Sequence, residues 1–172
     1  MHISRILALL GVVVAVVGML LKSLVHEGTE ALAELSQALP QIPIPIEIPT
    51  IWGGLDTSAQ IVVAIVLMVI VVLALWPPLK QPQNRLSAAI TTLAGVGFLV
   101  FAVVKLNETQ DDASGLQTAF DQAKAAGVLP SALQDAIVSP GIGFYIIIIG
   151  TALVSLAGLI ALIRGRVDTA EA

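Results

Sequence analysis

Four long stretches of uncharged, apolar residues alternate with polar segments along the chain. They cover residues 6–21, 61–76, 86–104 and 144–163. Each has about 16 to 20 residues, and at about 1.5 Å per helical residue such a stretch, with its flanks, approaches the ~30 Å hydrocarbon core of a bilayer. The pattern predicts four transmembrane helices in a single membrane domain that covers residues 1–172. We expect the spans at about 5–23, 60–76, 86–105 and 143–163.

The overall composition agrees with this interpretation. Hydrophobic residues make up 57% of the chain and charged residues 12%, whereas soluble domains carry roughly 25% charged residues. The fold class that we predict is therefore an all-α membrane protein with short helices and one extended segment in its long loops.

Charge is distributed unevenly between the two ends of the predicted spans. The basic residues near the termini and in the hairpin 77–85 are Arg5, Lys80, Arg85, Arg164 and Arg166. The two long loops, 24–59 and 106–142, carry ten acidic residues, while Lys22, Lys105 and Lys124 lie within them or at their edges. By the positive-inside rule, both termini are predicted to be cytoplasmic and both long loops external, in a plasma (inner) membrane. The net charge of −4 disfavours nucleic acid as a partner, because phosphate binding needs a basic surface.

Both long loops contain segments with helical patterns. Residues 24–39 place leucines on one face and glutamates on another, so they can continue the first helix as an amphipathic stalk. In the second loop, residues 116–123 and 131–134 favour two short helices, separated by Gly127 and Pro130.

Residues 40–49 alternate isoleucine with proline or polar residues, which predicts an extended segment. Its prolines lack amide donors, so only one edge of the segment can pair. The isoleucines of this segment form an apolar row, made up of Ile42, Ile44, Ile46 and Ile48. This row can pack on the chain's own second loop or in the lipid head-group region. The alternative, which we adopt as the predicted partner interface, is packing on another subunit.

Small residues recur along three of the spans and predict where helices pack closely, since lipid gives no hydrophobic drive for helix association. The predicted packing positions are Ala8, Gly11, Ala15, Gly18, Ser87, Thr91, Gly95, Gly143, Gly150 and Ala157. The second span has few small residues, so we expect it to face lipid or a partner over most of its circumference. Trp52, Trp76 and Tyr145 are predicted to anchor the spans at the membrane–water interface.

The predicted membrane interior carries no chemistry that we can assign. No charged residue lies inside an apolar run, the chain has no cysteine, and its histidines, His2 and His26, lie outside the runs. We therefore predict no enzymatic activity, no catalytic residue, no metal, no cofactor and no small-molecule substrate. Glu108, Asp111 and Asp112 lack the alternating spacing and turn glycine of a calcium loop.

One alternative function remains open at this point. A small homo-oligomeric channel or transporter-like protein would be lined by hydroxyl side chains of the third and fourth spans. These are Thr91, Thr92, Thr151 and Ser155.

Two resemblances bear on function. Four spans with outer loops and the sequence Trp52-Gly53-Gly54-Leu55 in the first loop resemble the claudin and peripheral-myelin-protein architecture. The loop cysteines that accompany the tryptophan motif of that family are missing here, so the function of the family is not carried over. In size, Val/Ala-rich spans and acidic loops, the chain resembles small accessory subunits of bacterial membrane assemblies such as the actinobacterial cytochrome bc and oxidase supercomplex. That resemblance implies a non-catalytic structural subunit whose partners are larger membrane proteins and lipids.

Overall fold

A computed structural model of the chain describes residues 3–25, 48–76, 84–127 and 137–167. Within these ranges there are four α-helices: α1 Ile3–Met19, α2 Thr57–Leu75, α3 Arg85–Ala125 and α4 Gly143–Val167. Helices α2, α3 and α4 are long and apolar enough to cross a membrane, and α1 is a shorter apolar helix of 17 residues. The predicted all-α fold with four apolar helices is thus confirmed, and three of the four are long enough to cross a membrane.

Capping residues mark where α2 and α3 begin and where α3 ends. The Asp56 carboxylate accepts a hydrogen bond from the Ala59 amide at the start of α2, and Asn84 accepts one from the Ser87 amide at the start of α3. Such side-chain oxygens replace the missing carbonyl partners of the first helical turn. At the other end of α3, Gly127 adopts φ +71°, a left-handed conformation typical of the residue that ends a helix.

Helix α4 lies between α1 and α3 and is antiparallel to both. It packs along the length of each, whereas α2 contacts α1 over a narrower strip and α3 over very few residues. Where α1 and α2 meet, Ala8 and Ala74 share a buried cluster with Ala157 of α4, and Val12 and Ile70 share another with Val154. The described helices therefore form a tight α1–α4–α3 unit with α2 attached to one side.

Helix α1 ends earlier than the sequence analysis expected. Its last residue is Met19, and residues 24–25 form a short strand, β1 (Leu24–Val25), that pairs antiparallel with β2 (Ser139–Pro140). The stalk predicted for residues 24–39 is therefore wrong at its start, and its remainder, beyond residue 25, lies outside the described residues.

Long-range backbone hydrogen bonds explain why the helix stops. The Ser23 amide donates to the Pro49 carbonyl and the Ile51 amide to the Leu21 carbonyl, while the Gly141 amide donates to the Ser23 carbonyl. Backbone groups that bond to two other segments cannot also bond within a helix. We call the end of the bundle that carries these strands the β end, and the opposite end the Arg5 end.

Helix α3 continues well beyond the predicted span 86–105. Its second part, residues 106–125, adds about 30 Å at 1.5 Å per residue, where the sequence analysis expected a loop with a separate short helix. Ala113, Phe120 and Ala123 are buried along this part, and the Gln117 side chain accepts a hydrogen bond from the Val138 amide. The second predicted short helix, at 131–134, lies outside the described residues.

Candidate functional site

The interface between α1 and α4 depends on glycine. A Cβ placed on Gly11 would lie 2.6 Å from the carbonyl oxygen of Gly150, and one on Gly18 would lie 2.7 Å from the carbonyl oxygen of Gly143. Distances this short cannot be accommodated without moving a backbone. The other predicted packing residues of these helices are also buried, namely Ala8, Ala15 and Ala157. The two backbones therefore approach each other as closely as the small residues allow.

A second close interface joins α3 to α4. Ser87, Thr91 and Gly95 are buried here, and a Cβ on Gly95 would lie 2.8 Å from the Ser155 amide nitrogen. On α4, Ser155 and Gly158 approach α3 at Gly95 and Thr92.

Gly158 is not among the predicted packing residues, and Ser155 was predicted only as a possible pore-lining residue. Thr151, Ser155 and Gly158 follow one another at intervals of four and three residues. This second small-residue stripe on α4 was a signal that could have been found.

The hydroxyl groups considered for a pore bond to their own helices. Thr91 donates to the Ser87 carbonyl at 2.8 Å, and Thr92 donates to the Ala88 carbonyl at 2.9 Å. Thr151 and Ser155 do the same on α4, to the carbonyls of Ile147 and Thr151. Within one copy of the chain, these hydroxyls lie at the α3–α4 packing face and use their protons inside the helix.

Arg5 is the largest fully buried side chain among the described residues. It lies near the start of α1 beside Ser4, which is also buried. In the sequence, Arg5 is a charged residue that flanks the first span, and its burial is not predicted by that position. The burial of Arg5 could nevertheless have been predicted from its spacing. Arg5, Ala8, Val12 and Ala15 recur at intervals of three and four residues, which places them on the same, buried side of α1.

The predicted anchors occupy the two ends of the bundle. Trp76 caps the end of α2 and is 77% exposed, whereas Trp52 is half-buried at the β end. The Trp52 amide donates to the Met19 carbonyl, and its own carbonyl accepts from the Gln60 side chain. Tyr145 is 50% exposed on α4.

The predicted partner interface lies mostly outside the described residues. Ile42, Ile44 and Ile46 fall outside them, and Ile48 is half-buried at the edge of a described range. The residues just after it, 49–51, bond to residues 21–23, which were predicted to form the end of the first span.

Helix α2 is the least buried of the three helices that are long enough to cross a membrane. Only 17% of its most apolar 18-residue window is buried, compared with 33% for α3 and 39% for α4. Its buried residues are Val63, Ile70 and Ala74. The opposite side of the helix carries an exposed stripe at helical spacing, formed by Ile61, Ile65, Met68 and Val72.

Charged groups of the β end are spread along α3 rather than gathered into one centre. Lys105 and Glu108 form an exposed ion pair with Nζ and Oε2 2.6 Å apart. Asp111 and Asp112 are exposed on the next turn. Among the described residues, no three His, Cys, Asp or Glu side chains are grouped so that they could hold a metal ion.

Comparison with known proteins gives no relative from which a function could be transferred. No family model, no curated protein and no solved structure matches this chain.

Proposed function

We propose that this chain is a non-catalytic accessory subunit of a larger complex in a bacterial plasma membrane, and that it docks to a larger subunit through the exposed face of α2. The observation that carries the proposal is the contrast between α2 and the other helices. The α1–α4–α3 unit is held by interfaces in which added methyl groups would meet backbone atoms, while α2 leaves most of its apolar surface uncovered.

The chemistry of the α2 face supports helix docking. Ile61, Ile65, Met68 and Val72 are each at least half exposed and lie on the side of α2 opposite Val63, Ile70 and Ala74. Bulky residues of this kind can pack against a partner helix, and methionine adapts easily to irregular surfaces. The same face can remain in contact with lipid while the chain is alone, so insertion does not depend on the partner.

The proposed orientation follows from charge. Arg5, Arg85 and Arg164 lie at the Arg5 end, and the described acidic residues lie toward the β end, on the loop before α2 and on the second part of α3. The positive-inside rule then assigns the Arg5 end to the cytoplasm and the β end to the outside.

The test is affinity purification of the tagged full-length chain from native membranes in a mild detergent. We expect larger membrane proteins at fixed stoichiometry with the wild-type chain. The double variant Ile65→Trp and Met68→Trp should insert normally but lose these companions, because the larger rings block close docking. The control is Val13→Trp, which places the same ring on an exposed position of α1 and should leave the companions in place.

Two results would overturn the proposal. One is a wild-type chain that purifies without companions. The other is a double variant that keeps them at wild-type stoichiometry. A homo-oligomer that passes solute in liposomes after such solitary purification would establish the channel alternative instead.

A further inference from the structure

We infer that the β end of the bundle binds one zwitterionic glycerophospholipid, with an acyl chain in a groove between α2 and α3 and the head group in an adjoining cavity. This site goes beyond the proposed docking function and uses a different side of α2. Val62 and Val66 line the groove, whereas the docking stripe contains Ile61, Ile65, Met68 and Val72.

The groove has the dimensions and the lining of an acyl-chain site. Its volume is about 480 Å³, and apart from Ser58 at its top the side chains that line it are apolar. Along α2 it runs from Ser58 to Val66, about 12 Å at 1.5 Å per residue, which is most of one leaflet's ~15 Å hydrocarbon depth. On α3 the wall includes Gly97, where an added Cβ would have no neighbour within 4 Å. Space that no side chain of the fold fills is therefore available beside α3.

The adjoining cavity changes from apolar to polar in the direction of the membrane surface. It encloses about 320 Å³, at the lower end of the range for ligand pockets. Its floor is formed by buried apolar side chains, including Met19, Phe144 and Ile147. At its mouth lie Lys105, Thr109 and Asp112 of α3.

Two phenylalanines connect the cavity and the groove. Phe98 and Phe101 line both, with ring centroids 6.1 Å apart. A ligand with an apolar chain and a polar head can therefore lie along these rings, with the chain toward the membrane centre and the head at the β end. Phospholipids in a bilayer have this same polarity, so a lipid enters the site without reorienting.

The charges at the mouth indicate which head group fits. Lys105 and Asp112 are two turns apart on α3, about 10.5 Å along the axis. The Lys105 ammonium has three donors and gives one to Glu108, which leaves it able to bind a phosphate oxygen. The exposed Asp112 carboxylate can accept from a head-group amine. A purely anionic head is disfavoured, because Asp112 at the mouth and Glu108, which is paired with Lys105, already place negative charge beside it.

The first experiment uses liposomes that contain phosphatidylethanolamine with a photoactivatable diazirine on one acyl chain. After irradiation, peptide mass spectrometry of the full-length protein should place crosslinks within residues 58–66 and 93–101. Gly97→Leu should reduce this labelling by about tenfold or more, since a leucine side chain displaces several methylene groups of the chain. Gly115→Leu is the matched control, because Gly115 also has open space around its Cβ position but lies on α3 away from the groove. It should label as the wild type does.

A second variant, on the opposite wall of the groove, distinguishes loss of the lipid site from misfolding of the protein. Val62→Phe fills the groove from α2 and should cause the same loss as Gly97→Leu, with helix content and elution volume unchanged. Labelling that persists in both variants would overturn the acyl-chain site. So would labelling spread evenly over the exposed face of α2, because that is the result expected of ordinary surrounding lipid.

The second experiment tests the head group by native mass spectrometry of protein released from mixed liposomes. We expect phosphatidylethanolamine to be retained over phosphatidylglycerol, and Lys105→Gln and Asp112→Asn each to lower its retention severalfold. The control Asp121→Asn removes a similar exposed carboxylate farther along α3 and should have no effect. Equal retention of phosphatidylglycerol, or no change in both mouth variants, would overturn the zwitterionic assignment.

Discussion

The Ser155 side chain lies directly over Gly95, so that a Cβ on Gly95 would be 2.6 Å from the Ser155 hydroxyl oxygen. The Ser155 backbone is nearly as close, with its amide nitrogen at 2.8 Å. This contact holds α3 against α4 at mid-span. It also makes the interface sensitive to a single methyl group.

We expect Gly95→Ala to destabilise the protein by about 1–3 kcal/mol, the usual cost of overpacking a close interface. Adding Ser155→Gly should recover only part of this loss, because it removes the hydroxyl but not the backbone contact. A double-mutant cycle on the free energy of unfolding in detergent measures the coupling. Strictly additive effects of the two substitutions would contradict the described contact.

Substitution by alanine should change the stability of the protein in opposite directions at two other glycines, Gly150 and Gly97. Gly150→Ala inserts a methyl group 2.5 Å from the Ala15 amide nitrogen and should lower the unfolding midpoint. Gly97→Ala meets no atom within 4 Å and should raise the free energy of unfolding by about 0.5–1 kcal/mol, because alanine favours the helix over glycine. Midpoints compared in one detergent test both. A rise in the midpoint of Gly150→Ala would show that the α1–α4 interface is not as close as described, whereas a fall for Gly97→Ala would contradict the open space beside that residue.

Acidic pH should weaken the start of α2. Hydrogen bonds from the Ser58 hydroxyl and then from the Ala59 amide lower the pKa of Asp56 below its ordinary value of 3.8. A carboxylate whose pKa is lowered by folding stabilises the folded state above the unfolded pKa, and this contribution is lost as the pH falls through the folded pKa. The loss should therefore begin near pH 3.8 and continue below it.

The measurement is the unfolding midpoint as a function of pH for the wild type and for Asp56→Asn. Asparagine is a good N-cap that does not titrate, so the variant should lack this acid-dependent component. Identical pH profiles for the two proteins would rule out Asp56 as its source.

Trp52 and Trp76 should report opposite sides of the membrane. They flank the 19 residues of α2, which span about 28 Å as a helix. In right-side-out vesicles, external iodide should quench Trp52 in a Trp76→Phe variant and leave Trp76 in a Trp52→Phe variant unquenched until lysis. The reverse pattern would invert the orientation proposed from charge.

The apolar spans could be predicted from the sequence because a helix in lipid must satisfy its own backbone and present apolar side chains outward. The length of α3 could not be read from hydropathy, since residues 106–125 are polar on their exposed side. A weaker signal was present. Leu106, Ala113 and Phe120 are buried and recur every seven residues, so the packing stripe of α3 continues past the point where the apolar run ends.

The end of α1 and the β end of the bundle had no local signal. Residues 21–25 are held by hydrogen bonds to segments that lie more than twenty and more than a hundred residues away in the chain. The cavity at the β end depends on the same arrangement, because Ser23, Pro49 and Phe144 meet there only after the helices have assembled. The packing glycines of α1 were predictable because close helix contact leaves a regular spacing of small residues.

The Ser23 backbone is hydrogen-bonded to both Pro49 and Gly141, so three segments that are far apart in the sequence are held together. A protease that cuts anywhere between residues 25 and 48 would break the polypeptide without releasing either piece. The fragment that carries α1 would stay attached through the close glycine contacts with α4, and residues 49–51 would stay hydrogen-bonded to residues 21–23. Nicked protein should migrate as one particle in mild detergent and separate into two bands only in a denaturing gel.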